Sequence, residues 1–211
     1  MALDLEEQEQ VDALKAWWKD HGNKVIVGLT VFVLSVAIWR GWESYQAKQT
    51  GEAAAIFDVL RKELATNDVK KIRDVAGQLI DKFPRTVYAT DAAMIAAKVN
   101  FESGDAKSAK AQYQWVIEHA KQSQSKDLAS LRLAVVLLDE KNYADALKQL
   151  EGAHDAAFAP LFDDLKGDVY SLQGKSKEAR SAYQASLDKL PKTSPFRNYV
   201  QIKLDALGEQ G

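Results

Sequence analysis

The chain has no cysteine at all and only three histidines among 211 residues. The first absence excludes a disulfide framework, a thiol nucleophile and thiolate metal ligation, although it suits reducing and oxidising compartments alike. The second leaves little for imidazole chemistry, because His21, His119 and His154 stand far apart and none has a carboxylate or a second histidine at ligand spacing. No serine sits in a Gly-x-Ser-x-Gly elbow, and no glycine-rich phosphate loop leads into a helix. The residues therefore predict no enzyme, no cofactor and no metal. An excess of charge of one sign is missing too: 28 basic and 30 acidic side chains give a net charge of -2. Basic residues are dispersed rather than interleaved with aromatics, so nucleic acid is not an expected partner. Strands are equally absent from the pattern, since no apolar run alternates with period two.

Against a composition that is 27% charged, the stretch VIVGLTVFVLSVAIW at residues 25–39 carries no charge at all. As a helix it rises about 22 Å, and about 27 Å if continued to Trp42, close to the roughly 30 Å of a bilayer's hydrocarbon. Lys24 and Arg40 bracket it, and Trp17, Trp18, Trp39 and Trp42, four of the chain's five tryptophans, lie near its two ends. Cations that snorkel and amphipathic rings are the residues favoured at membrane boundaries. A cleaved signal would have a short basic leader and small residues after the apolar run, whereas here an acidic leader precedes it and RGWESYQ follows. The expectation is a retained transmembrane anchor over residues 25–42. In the leader, residues 1–24, Val11, Leu14, Trp17 and Trp18 form one stripe of a short amphipathic helix suited to a membrane surface. Lys15, Lys19 and Lys24 before the span against Arg40 and Lys48 after it leave orientation undecided by charge.

Beyond the anchor the expected fold class is all-α. A connecting helix over 43–66 leads into a tetratricopeptide-like array over 67–211, with about three to four helical hairpins and a closing helix in PFRNYVQIKLDAL. The repeat shows when GKSKEARSAYQASL, GDAKSAKAQYQWVI and KNYADALKQLEGA are aligned. Gly174 falls on Gly104 and Lys141, Ala179 on Ala109 and Ala146, and Tyr183 on Tyr113 and Leu150. A weaker unit, RDVAGQLIDKFP, places Ala76 on the same alanine position, 33 residues before Ala109. In the last unit Gly167, Tyr170, Ala179, Tyr183 and Pro191 occupy motif positions: small residues where helices approach, rings between elements, and a proline that stops the second helix.

Arrays of this kind hold segments of other proteins against the first helices of their hairpins. The motif frame points Met94 and Phe101 of one repeat, and Leu128, Leu131, Val135 and Leu138 of the next, toward such a partner-binding groove. Asp164 and Asp168 would make its far end acidic, and the pairs Asp163 with Asp164 and Asp139 with Glu140 read as solvated faces.

The leader EEQEQVDALKAWWKDHGN, the span ending IWRGWESYQ and the repeat DLKGDVYSLQGKSKEARSAYQASL together resemble the ancillary SecYEG translocon subunits of Gram-negative bacteria, the YfgM-type family. That resemblance implies an inner-membrane protein with a cytoplasmic N-terminus and periplasmic repeats. It also implies partners: the SecYEG channel, a membrane-anchored chaperone of the prolyl-isomerase type, and unfolded export clients passed on to periplasmic chaperones. The alternative function on the same repeat surface is a scaffold or regulator in envelope biogenesis or cell division.

Overall fold

The computed structural model describes residues 5–208; the first four residues of the expected leader and the last three of the expected repeat domain lie outside the described residues. All regular structure among them is helical: α1 (Leu5–Thr66), α2 (Val69–Lys82), α3 (Val87–Glu102), α4 (Ala106–His119), α5 (Ser123–Asp139), α6 (Tyr143–Leu150), α7 (Ala159–Leu172), α8 (Ser176–Lys189) and α9 (Phe196–Ala206). The chain divides into two compact units, residues 1–49 and 50–211, and α1 contributes to both.

In the first unit the helix runs without interruption from the leader through the apolar stretch. The short amphipathic helix expected over the leader is therefore not a separate element, and the turn it would need before a span is not made. The helix is long and apolar enough to cross a membrane, and none of its most apolar window is buried. The two hydroxyls within residues 25–42 answer their own polarity: Thr30 donates to the Ile26 carbonyl and Ser35 to that of Val31, each at 2.8 Å. Such i to i−4 bonds leave neither hydroxyl proton free on this exposed apolar surface.

The second unit begins earlier than the repeat pattern suggested. Residues 50–66, read from sequence as a connector, bury Ala53 and Leu60 against Ile72, Ala76, Leu79 and Phe83 of the next hairpin arm. By that shared core they act as the first arm of a hairpin with α2; α3 with α4, α5 with α6 and α7 with α8 follow, and α9 closes the array against α8. Each core is shared between neighbours, as expected of a solenoid. The alanines of α3 show how: Ala92 and Ala96 enter the core with α2, while Ala93 and Ala97 enter the one with α4 and α5. Two i,i+4 pairs about 100° apart place small residues on both sides of a helix clamped between two cores.

Besides Gly208 after α9 (74°), four residues between helices have positive φ: Asn67 (56°), Gly104 (83°), Lys141 (59°) and Gly174 (73°). At the last three the chain closes in the same way. The amide of Gly104, Lys141 or Gly174 donates to the carbonyl of Phe101, Leu138 or Ser171, and the following amide donates to Asn100, Leu137 or Tyr170. This is the Schellman arrangement, which satisfies the ending helix's carbonyls at the expense of one left-handed residue. Asp68, Asp105 and Asn142 follow three of these turns and cap the next helix, accepting from Lys71, Ser108 and Asp145 amides. The turns recur at intervals of 37, 37 and 33 residues. The first interval corrects the 33-residue spacing expected for the weakest unit. Ile72, four residues after Asp68 as Ala109 is after Asp105, takes the alanine's place. Both Ile72 and Ala76 are fully buried, because a shift of four residues keeps a helical face unchanged.

Candidate functional site

The first arms of the second and third hairpins, α3 and α5, lie beside one another with α4 behind them. Between them is a cleft of about 540 Å³ whose floor includes Met94 and Phe101 from α3, Tyr113 from α4, and Leu128 and Val135 from α5. That size falls in the range of small-ligand pockets, room for a few side chains rather than a whole helix. Spacing explains the wall. Leu128, Arg132 and Val135 recur at i, i+4 and i+7, and Met94, Lys98 and Phe101 at the same intervals, so each helix offers one face. Leu128 is 38% exposed, whereas Met94, Phe101 and Val135 are half-buried.

Four of the six groove residues expected from sequence thus line one cleft. Leu131 does not; it is only 8% exposed and belongs to the core, as does Leu138 in part, packed against the same cluster. Leu131 lies about 60° around α5 from Leu128, because three residues advance a helix by about 300° rather than a full circle. The motif frame missed Ile95, Lys98, Glu102, Tyr113, Arg132 and Val136. The helical companions of Met94 and Leu128 at i+4 and i+8 would have found Lys98, Glu102, Arg132 and Val136.

Charge in the cleft is sparse and local. Lys98 and Glu102 pair on α3 at 3.7 Å, both well exposed. Arg132 is exposed and makes no ion pair among the described residues. The Tyr113 hydroxyl is raised above its ordinary pKa by burial, with Arg132 pulling it down and Glu102 pushing it up. Both charges are therefore felt at the cleft floor.

The acidic far end expected from Asp164 and Asp168 does not exist as an open surface. Asp164 is 6% exposed, and both its oxygens accept from Lys203 of α9 at 2.9 and 3.0 Å, while Lys203 also donates to Asp168 at 2.7 Å. Asp168 accepts in addition from the Tyr183 hydroxyl at 2.8 Å. Burial still raises the Asp164 pKa, only partly offset by Lys203. Nor is Asp163 a solvated partner of Asp164: it is 8% exposed and paired with Lys189 and Lys166. The closing helix converts these acids from a binding surface into a lock.

The repeat-signature residues sit where packing needs them. Ala109, Ala146, Ala179 and Leu150 are fully buried and Tyr113 and Tyr183 nearly so, Tyr170 packs against the last core, and Pro191 follows the cap of α8. Gly167 faces the Tyr183 ring so closely that a β-carbon there would lie 2.3 Å from it. At the other end of the chain Trp17, Trp18, Lys24, Trp39, Arg40 and Trp42 are all exposed on α1. The histidines are engaged locally: each Nδ1 meets a nearby backbone carbonyl, and the rings stack on Trp17, Trp115 and Phe162.

The family model of a tetratricopeptide repeat-like domain matches residues 15–209. A protein of Neisseria gonorrhoeae (strain ATCC 700825 / FA 1090) named Ancillary SecYEG translocon subunit is 35% identical over 98% of this chain and 100% of its own length. Proteins of the same name in Haemophilus influenzae and Escherichia coli K12 are 26% and 25% identical, over 87% and 95% of this chain and 90% and 96% of theirs. Among solved structures, MamA (41-end) from Desulfovibrio magneticus RS-1 superposes with a TM-score of 0.54 at 18% identity, covering 74% of this chain and 88% of that one, a likeness of fold alone. From a match along almost its whole length to such a relative, and from hairpins built on the same repeat, it follows that this chain belongs to the ancillary SecYEG translocon subunit family.

Proposed function

We propose that the chain is a single-span subunit of the bacterial inner membrane that works beside the SecYEG channel, with its N-terminus in the cytoplasm and its repeats in the periplasm. There the array receives apolar segments of newly translocated polypeptides in the cleft between α3 and α5 and passes them to periplasmic chaperones, including a membrane-anchored one of the prolyl-isomerase type. The observation that carries this reading is the cleft itself: an apolar floor shared by two neighbouring first arms, with Leu128 open to solvent on its wall. The relatives' name supports the channel as the place of work, and the unburied apolar stretch of α1 supports anchorage. Anchorage would raise the effective concentration of the array near its partners, so that individually weak contacts suffice. A modest cleft is then adequate for holding and for release.

The test is in vivo crosslinking from residues 42–49 and from position 128, followed by identification of the captured proteins. Channel subunits from the first positions and unfolded export clients from the second support the proposal. Exclusive capture of cell-wall or division proteins would overturn it. A reporter fused to the C-terminus that is active only in the cytoplasm would refute the orientation.

A further inference from the structure

The cleft carries a selectivity beyond its greasiness. Its wall on α5 reads apolar, cationic, apolar: Leu128, Arg132, Val135. The Lys98 charge on the opposite wall is already met by Glu102, whereas Arg132 has no ionic partner among the described residues. A guanidinium beside an apolar floor is poised to take a carboxylate in bidentate fashion, in surroundings that screen the pair less than bulk water does.

We propose that the occupant of the cleft is an internal, extended, apolar segment carrying one acidic side chain, whose carboxylate pairs with Arg132 while flanking apolar side chains meet Leu128 and Val135. This rests on the reading of the cleft as a polypeptide-holding site. Register follows from geometry. Along α5 the steps from 128 to 132 and from 132 to 135 rise about 6 and 4.5 Å. In an extended chain, side chains two residues apart share a face and are separated by about 7 Å. The nearest pattern on one face is apolar, any, acidic, any, apolar, about 3.5 Å longer overall than the run from 128 to 135, a difference that flexible side chains span. The opposite wall offers only the Lys98–Glu102 pair, whose charges offset one another, so Arg132 on α5 is the cation that the carboxylate finds without an ionic partner among the described residues. A chain still threading a channel presents internal segments, so the acid is a side chain of Asp or Glu rather than a chain terminus.

The experiment uses the purified full-length protein in detergent and three fluorescent peptides blocked at both ends, with the cores Leu-Ser-Glu-Ser-Leu, Leu-Ser-Gln-Ser-Leu and Leu-Ser-Lys-Ser-Leu. Wild type should bind the Glu peptide about two- to fivefold more tightly than the Gln peptide, the upper range for an ion pair made by an exposed arginine. Arg132→Gln should abolish that difference, Arg132→Glu should favour the Lys peptide, and 1 M salt should shrink the wild-type preference. Leu128→Ser should weaken all three peptides. Equal affinities of wild type for the Glu and Gln peptides, with Leu128→Ser still weakening both, would overturn the charge selectivity while leaving the holding role intact. If no peptide binds, or if Leu128→Ser binds all three as wild type does, the holding role falls and the selectivity falls with it.

Discussion

Replacing Gly167 by alanine tests the packing of the last hairpin with one methyl group. The added β-carbon would lie 2.3 Å from Cε1, 2.4 Å from Cδ1 and 2.9 Å from Cζ of Tyr183, far inside ordinary van der Waals contact. The ring cannot step aside cheaply, being 3% exposed and tied by its hydroxyl to Asp168. Either α7 and α8 separate or the ring leaves its site. Overpacking of this kind costs about 1–3 kcal/mol, and loss of a buried aromatic about 3–5 kcal/mol as the upper bound. Alanine's better helix propensity returns roughly 1 kcal/mol. A net loss of about 2 kcal/mol is expected, lowering Tm by about 4–8 °C for a domain of this size. Thermal unfolding of the full chain, followed by circular dichroism, reads it. The sign change in a double mutant is the sharper outcome: in a Tyr183→Ala background, Gly167→Ala should become neutral or stabilising. An undiminished loss in that background would refute the claim that the ring is what forbids a side chain at 167.

Three further outcomes follow from the same geometry. Lys141→Gly, at the one hairpin turn that forces a long side chain to a φ of 59°, should stabilise the array by about 1 kcal/mol, seen as a rise in Tm; a loss would show that Lys141 contributes more than backbone strain. Lys203→Met strands Asp164 in a buried site, a change expected to cost about 3–5 kcal/mol near neutral pH. Without Lys203 the raised Asp164 pKa rises further; an acid whose folded pKa is raised stabilises when protonated and loses that contribution as pH rises through it. The deficit of the variant should therefore shrink as pH falls from 7 toward the ordinary value of 3.8, and a deficit that grows in acid would contradict the sign. Leu131→Asp places a charge in the core and should unfold the array, whereas Leu128→Asp should leave its circular dichroism unchanged; equal stability of the two variants would show that the cleft residues were misassigned.

Much of this architecture was legible because its determinants are local. Gly104 and Gly174 announce left-handed turns, and the buried alanines at 109, 146 and 179 mark close approaches, so the hairpins and their order follow from spacing. Lys141 is recognisable only by alignment, since its side chain gives no hint of a positive φ. The first hairpin slipped by four residues because apolar periodicity is blind to a shift of one helical turn, and only the cap Asp68 distinguishes the registers. The acids of α7 misled for a different reason. Aspartates next to one another in sequence read as solvent-facing until a lysine from α9, 39 residues beyond Asp164, is folded over them. The cleft lay between these cases: its floor follows from one helix's face, but its boundary with the core depends on how α5 is rotated against its neighbours.

What lies in the cleft during export can be read from inside the cell. A photo-crosslinking amino acid placed at position 128, in cells holding a secreted protein arrested midway through the channel, should label that arrested chain, while the same group at the exposed Val59 should not. Labelling of the arrested chain from Val59 but not from Leu128, or from neither, would contradict the holding role.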